Sequence, residues 1–136
     1  VAAVSEAGGV FVLRLRGNRY SRFTLERLTG QAPRQVSALC FGRSEQLLIA
    51  FGNDLVVCDL QLRLAGTRLV GHGTRLISLV ASWQRGLVLS LSSDAAIVWD
   101  SAAWVRLRAI FAAKVPFRQA QLGCGGALAG LLAGDG

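Results

Sequence analysis

The sequence aligns with itself at an offset of 41 residues, and this repetition limits the possible folds more than any other feature. Residues 36–59 align with residues 77–100 without a gap, so that Leu47 falls on Val88, Val56 on Ile97 and Asp59 on Asp100. The same offset gives a single position in the repeat to Asn53, Asp94 and Asp135. Residues 10–13 match residues 55–58 at an offset of 45. A repeat of roughly 20 to 50 residues indicates similar units that stack and bury their apolar faces against one another.

Each repeat contains short segments typical of β-strands. They are rich in β-branched or aromatic residues and end at Gly, Asn, Asp or Ser; they are residues 10–13, 36–41, 47–51, 55–58, 77–80, 87–91 and 96–99. No segment keeps an apolar period of about 3.6 residues long enough to predict a helix. Four short strands in a period near 40 residues is the spacing of β-propeller blades. We therefore predict an all-β chain.

Two short motifs strengthen this prediction. Residues 97–100 read Ile-Val-Trp-Asp and are preceded by Gly71 and His72, which resembles the Trp-Asp and Gly-His marks of the WD-repeat β-propeller family. Cys58 and Asp59 stand at the equivalent of the Trp-Asp pair one repeat earlier. The resemblance implies a propeller fragment of four-stranded antiparallel blades: a partial blade over residues 1–35, blades over 36–71 and 72–112, and the start of a further blade over 113–136. We expect the remaining blades in a longer chain or from oligomerisation.

The resemblance also implies a hydrogen-bonded tetrad. In such blades a His, a Ser or Thr, an Asp and the Trp bond to one another, and here the candidates are His72, Ser90 or Ser92, Asp94 and Trp99. A neutral imidazole can donate to Asp and accept from Ser while the indole donates, which satisfies groups that blade packing buries. The alternative is that His72 acts as a catalytic base, but the structural role is favoured. Gly71, Asn53, Asp59, Asp100 and Asp135 are repeat markers, and we predict no catalytic residue and no enzyme.

Arginine is concentrated near the amino terminus. The chain has a formal net charge of +7. Its densest basic stretch interleaves arginines with Tyr20 and Phe23; the arginines are Arg14, Arg16, Arg19, Arg22, Arg27 and Arg34. Guanidinium groups bind phosphates and carboxylates and stack on aromatic rings. We predict that Arg14, Arg16, Arg19, Tyr20 and Arg22, together with Trp83 at a predicted strand tip, are candidate partner-binding residues, although a solvated blade edge is the simpler interpretation.

The remaining features exclude several classes of site. Cys40, Cys58 and Cys124 are widely spaced and accompany one His, so neither a disulfide framework nor a zinc site is predicted. The glycine-rich residues 123–126 lack the Lys-Ser/Thr continuation of a phosphate-binding loop. We expect no metal, no cofactor and no membrane insertion, and an intracellular, most simply cytoplasmic, location. The predicted function is a non-catalytic protein-interaction scaffold, and the alternative is a basic surface that binds nucleic acid or another polyanion.

Overall fold

A computed structural model of the chain describes residues 2–4, 9–14, 17, 19–24, 36–42, 45–61, 66–82, 84–123 and 128–134. These residues form strands and turns and contain no helix. The strands are β1 (Ala2–Val4), β2 (Gly9–Arg14), β3 (Arg19–Thr24), β4 (Val36–Phe41), β5 (Gln46–Phe51), β6 (Asp54–Asp59), β7 (Thr67–Leu69), β8 (Leu76–Ser82), β9 (Leu87–Ser92), β10 (Ala95–Asp100), β11 (Arg106–Phe111), β12 (Phe117–Gly123) and β13 (Leu128–Ala133).

The strands form antiparallel sheets in which each strand pairs with its neighbours in sequence. Sheet 1 contains β1 to β3, sheet 2 contains β4 to β7, sheet 3 contains β8 to β11, and β12 pairs with β13 in sheet 4. Sheets 2 and 3 have four strands each, with β4 and β8 at one edge and β7 and β11 at the other. The prediction of an all-β chain with four-stranded antiparallel sheets is confirmed.

Both faces of the middle strands are buried, because the sheets stack face to face. In β5, Leu47 and Ile49 belong to a core cluster shared with sheet 1, whereas Leu48 and Ala50 belong to a cluster shared with sheet 3. Successive side chains of a strand point to opposite faces, so a strand covered on both sides needs an unbroken apolar run. The sequence of β5, Gln-Leu-Leu-Ile-Ala-Phe, has such a run.

The repeat is visible in the backbone hydrogen bonds that join neighbouring sheets. The Leu76 amide donates to the Gly52 carbonyl over 2.7 Å, and one repeat later the Phe117 amide donates to the Ser93 carbonyl over 2.9 Å. Leu76 and Phe117 are the first residues of β8 and β12, and we call the first strand of each sheet (β4, β8 and β12) its inner strand. Each bond ties an inner strand to the turn between the second and third strands of the preceding sheet. The junctions between sheets 2 and 3 and between sheets 3 and 4 are therefore built alike.

The ungapped alignment is wrong by one residue in the first strand of sheet 2. Val36 pairs with Phe51, whereas Ser92, the equivalent of Phe51, pairs with Leu76 and not with Ile77. The one-residue difference falls at the closed end of the hairpin: five residues separate the paired Phe41 and Leu47, whereas six separate the equivalent pair Ala81 and Val88. A surface loop absorbs such an insertion without disturbing the buried strands, so the core keeps its repeat while the spacing changes.

Candidate functional site

The segment between β7 and β8 carries His72 against the buried face of sheet 3. A Cβ atom at Gly71 would lie 2.9 Å from Cδ1 of Ile97, so a larger residue here would require the Ile97 side chain to move away from the backbone. His72 is 6% exposed, and Ser90 and Ser92 of β9 are fully buried beneath it. The turn therefore places one imidazole against two serines of the same strand.

Every polar atom of the imidazole has a partner. His72 Nδ1 lies 2.7 Å from Ser92 Oγ, and His72 Nε2 lies 2.7 Å from Ser90 Oγ. The indole Nε1 of Trp99 donates to Ser90 Oγ over 2.7 Å. Ser92 Oγ in turn donates to a carboxylate oxygen of Asp94. We call these five side chains, His72, Ser90, Ser92, Asp94 and Trp99, the His72 network.

The shortest contact of each serine assigns one neutral tautomer to the ring, in preference to the longer contacts of Ser90 with the Ile97 carbonyl and of Ser92 with the Ala95 carbonyl. Ser92 gives its hydrogen to Asp94, so it accepts from Nδ1–H of His72. Ser90 accepts from Trp99 and gives its own hydrogen to Nε2. One chain of donors thus runs from the indole to the carboxylate through a neutral imidazole. Burial lowers the pKa of His72, and this effect outweighs the Asp94 carboxylate, which raises it. The lowered pKa favours the same neutral form.

The network differs in one bond from the expected tetrad. The sequence predicts that His72 donates directly to Asp94, but Ser92 lies between them, and both serines take part. Asp94 instead closes the loop beside His72, since it accepts from Thr74 Oγ1 over 2.7 Å and from the Gly73 amide over 3.2 Å. Burial alone would raise the pKa of Asp94, but the hydrogen bonds from Ser92, Thr74 and Gly73 lower it.

One repeat earlier the same positions are apolar. Ser90 and Ser92 correspond by register to Ile49 and Phe51, and Trp99 corresponds to Cys58. These three residues are buried in the cluster between sheets 1 and 2. Burial raises the pKa of the Cys58 thiol to about 12, so it packs as a small neutral side chain.

Two open clefts lie beside the His72 network, one at each junction. The cleft between sheets 2 and 3 has a volume of about 640 Å³ and is lined by Val36, Ser37, Thr74, Arg75, Leu76, Ile77 and Ser93. The cleft between sheets 3 and 4 has a volume of about 290 Å³ and is lined by Ile77, Ser93, Pro116, Phe117 and Arg118. Ile77 and Ser93 line both, and each cleft has one arginine, Arg75 or Arg118.

The sequence analysis missed these cleft residues. Ser37, Ile77 and Arg118 are the residues skipped by the register shift at the start of each inner strand. A bulge turns one side chain out of the ladder, but no residue pattern marks where it occurs.

Comparison with known proteins identifies the architecture. No family model matches the chain, and no curated protein matches it. Among solved structures, that of U3-55K, a WD40 β-propeller protein, superposes with a TM-score of 0.65 at 13% sequence identity, over 85% of this chain and 37% of that one. The chain has the fold of WD40 β-propeller blades. It spans well under half of the length of U3-55K, and identity this low establishes the fold alone.

The repeat markers act in the turns of the blades. Asp59 Oδ1 accepts from the Gln61 amide and Asp100 Oδ1 accepts from the Ala102 amide, both over 2.8 Å. Asn53 Nδ2 donates to the His72 carbonyl over 3.4 Å. Asp59 and Asp100 thus make equivalent Asx turns, whereas Asn53 and its equivalent Asp94 contact different parts of the segment between β7 and β8. Asp135, Arg16 and Trp83 lie outside the described residues.

The first blade brings part of the basic stretch together. Its register pairs Arg14 with Arg19 and Phe11 with Arg22. The Arg22 guanidinium lies over the Phe11 ring, 5.6 Å from its centroid, which is within cation–π range. Arg19 and Arg22 are exposed, while the side chains of Arg14 and Tyr20 lie outside the described part of the blade, as do Arg27 and Arg34.

The described residues contain neither a candidate metal site nor a membrane-spanning helix. No cluster of three or more His, Cys, Asp or Glu side chains suited to a metal ion occurs among them. None of their elements is a helix long and apolar enough to span a membrane.

Proposed function

We propose that this chain forms part of a non-catalytic propeller that binds other proteins. The observation that carries the proposal is that the groups best suited to chemistry are used inside the His72 network. Both imidazole nitrogens bond to buried serines, and a general base needs a nitrogen that reaches substrate. Structural support for the blade is the role that this geometry favours for His72, Ser90, Ser92, Asp94 and Trp99.

The clefts supply a surface suited to a protein partner. They are open, mix apolar and polar lining, and stand side by side at successive blade junctions. One extended partner segment can therefore place successive side chains in neighbouring clefts. Repeat architectures commonly bind in this way, through residues that stack along one surface.

The test is isolation of the full-length protein with its partners. Ile77 lines both clefts and is 42% exposed, so Ile77→Glu alters both clefts without removing a core side chain. Val70→Glu is the matched control, because Val70 is 73% exposed and lines neither cleft. We expect partner proteins that stay bound after ribonuclease treatment. The Ile77→Glu variant should lose these proteins, and the Val70→Glu variant should keep them. Partners released by ribonuclease, or kept by both variants, would contradict the proposal.

A second candidate function is polyanion binding by the first blade. The register pairs Arg14 with Arg19, and like charges directly opposite each other in a strand pair are destabilising. A bound polyanion would offset this repulsion. It predicts RNA binding that weakens with salt and is reduced by Arg19→Glu with Arg22→Glu. Binding that is insensitive to both changes would exclude this function.

The proposal includes the blade limits given above, 1–35, 36–71, 72–112 and 113–136. It also includes an intracellular, cytoplasmic location. Supporting the location, Cys40 and Cys58 are thiols whose pKa values burial raises, and such cysteines suit a reducing compartment.

A further inference from the structure

The outer edge of sheet 3 differs from the outer edge of sheet 2. Strand β11 has six residues, Arg106–Phe111, and pairs on one side only, with β10. Its counterpart β7 has three residues, Thr67–Leu69. An unpaired edge offers a row of backbone N–H and C=O groups to another strand, and short edge strands limit that offer. By this measure β7 is protected, and β11 is open with respect to every strand that the structure describes.

The side chains of β11 are unusually apolar for a surface strand. Leu107 is 54% exposed, Ile110 43% and Phe111 64%. Ile110 pairs with Ala96 and Phe111 with Ala95, so the two side chains stand on opposite faces of the sheet at the same end of the strand. An added strand would therefore find apolar surface on each face.

Charge distinguishes the two edges further. Arg106 and Arg108 are exposed, β11 contains no acidic residue, and neither arginine has an ion pair within the described part of the chain. On β7, by contrast, the Arg68 guanidinium lies 2.6 Å from a carboxylate oxygen of Asp54. The charge of β7 is thus already neutralised, and that of β11 is available to a partner.

These properties select among possible occupants. A second copy of β11 would bring four arginines to one seam, and like charges across a strand pair oppose pairing. An acidic strand meets the same arginines with opposite charge. The exposed leucine, isoleucine and phenylalanine favour a strand that also carries apolar side chains, rather than a polyanion without them.

We propose that the outer edge of β11 binds an extended acidic segment of a partner protein as an added antiparallel or parallel strand. Main-chain hydrogen bonds to the open edge hold the segment, carboxylates bind Arg106 and Arg108, and an apolar side chain covers Ile110 or Phe111. This surface is separate from the clefts, so the inference stands or falls independently of the function proposed for them.

The experiment measures binding of a fluorescent eight-residue peptide of alternating Glu and Val to the full-length protein. Arg106→Glu with Arg108→Glu reverses the charge of the edge. Arg75→Glu with Arg118→Glu makes the same change of charge in the clefts and is the control. We expect the edge variant to weaken binding by about tenfold or more and the cleft variant to change it less than about twofold. Circular dichroism confirms that each variant is folded, and Arg106→Gln with Arg108→Gln repeats the test with a milder change.

Two further peptides test the binding mode. A peptide N-methylated at every residue keeps its carboxylates but cannot donate to the edge, and we expect no measurable binding. A Gln-for-Glu peptide should bind about as weakly as the wild-type peptide binds the edge variant. The inference would be overturned by binding that survives N-methylation or by loss confined to the cleft variant. It would also be overturned by an edge variant that binds normally, or by a concentration-dependent dimer that the edge variant abolishes.

Discussion

The imidazole of His72 bonds to two buried serines, which in turn bond to Trp99 and Asp94, so one side chain joins polar groups from two strands and a turn. Ser90 and Ser92 lie on β9, Trp99 lies on β10, and Asp94 lies in the turn between them. Leaving one such group unpaired costs about 1 to 3 kcal/mol, which is a large part of the stability of an ordinary domain. The network therefore stabilises this blade by keeping its buried polar groups hydrogen-bonded.

Replacing His72 by Ala should destabilise the protein by about 3 kcal/mol, because it creates a cavity and removes one hydrogen bond each from Ser90 and Ser92, which keep their other partners. The measurement is denaturant unfolding of the full-length protein. Arg85→Ala, an exposed loop residue, should change the stability by less than about 0.5 kcal/mol. Equal stability of the two variants would show that the network does not support the blade.

The same residue predicts a dependence of stability on pH. Burial lowers the pKa of His72 below its ordinary value of 6.5, so the unfolded chain takes up the proton first as the pH falls. Stability is complete above pH 6.5 and decreases below it. Asp94, whose pKa is lowered from 3.8, stays ionised in both states down to pH 5 and adds no slope there.

Urea unfolding at pH 7 and pH 5 measures this effect. We expect His72→Phe to remove part of the decrease in stability between those values, because phenylalanine does not titrate. An unchanged decrease in the variant would assign it to other groups.

At the scale of the element, sheets 2 and 3 have the same arrangement of four strands but differ in the side chains of one face. Ile49 and Phe51 on β5 occupy the positions that Ser90 and Ser92 occupy on β9. A hydroxyl is tolerated on β9 because His72, Trp99 and Asp94 bond to it. The described residues around Ile49 form an apolar cluster.

Ile49→Ser should therefore cost about 4 kcal/mol, since it removes a fully buried side chain and buries an unpaired hydroxyl. Ile49→Val, which removes one methylene group, should cost about 1 kcal/mol. Calorimetry of the two variants gives the comparison. A serine no worse than valine would mean that a polar partner reaches this position.

The turn after β10 allows a second test at the scale of the element. Asp100 Oδ1 accepts from both the Ala102 and the Ala103 amides over 2.8 Å. Asp100→Ala should destabilise the protein by about 1 kcal/mol, whereas Asp100→Asn keeps an acceptor oxygen and should recover most of that loss. Thermal melts of the wild-type protein and both variants measure the difference. If Asp100→Ala melts at the same temperature as the wild-type protein, the turn does not contribute to stability.

The sequence predicted elements better than contacts. The apolar segments located three of the four strands in each of sheets 2 and 3, because buried middle strands need consecutive apolar residues on both faces; the mostly exposed β7 and β11 were not predicted. The 41-residue offset misplaced Val36 by one residue, since a loop insertion leaves no trace in the apolar pattern of the strands. It also left open which serine meets His72, because that depends on side-chain directions that only the paired register shows. The exposed edge of β11 was missed, because Arg106 and Arg108 gain significance only from being on an outermost strand.

At the scale of the whole molecule, the sheets are coupled by shared clusters rather than by one central core. Leu48 and Val57 of sheet 2 belong to the same cluster as Ile97 and Trp99 of sheet 3. Leu89 and Leu91 on the other face of sheet 3 cluster with Phe117 and Ala120 of β12. Each blade therefore stabilises the next, and solenoid-like coupling of this kind passes from neighbour to neighbour.

This coupling predicts an order of local stability across the molecule. Amides of β5, β6, β9 and β10 lie in strands paired on both sides and buried on both faces, so their exchange requires separation of neighbouring blades. Amides of β11, which is exposed and paired on one side, need only local fraying. Hydrogen exchange of the full-length protein, followed by mass spectrometry, should show the four middle strands, β5, β6, β9 and β10, exchanging together. Their exchange should be at least about tenfold slower than that of β11. His72→Ala should accelerate β9 and β10 more than β5 and β6, because the network joins the first pair directly. Equal acceleration in all four strands would show that the blades open as one unit, and the neighbour-to-neighbour account of their stability would be wrong.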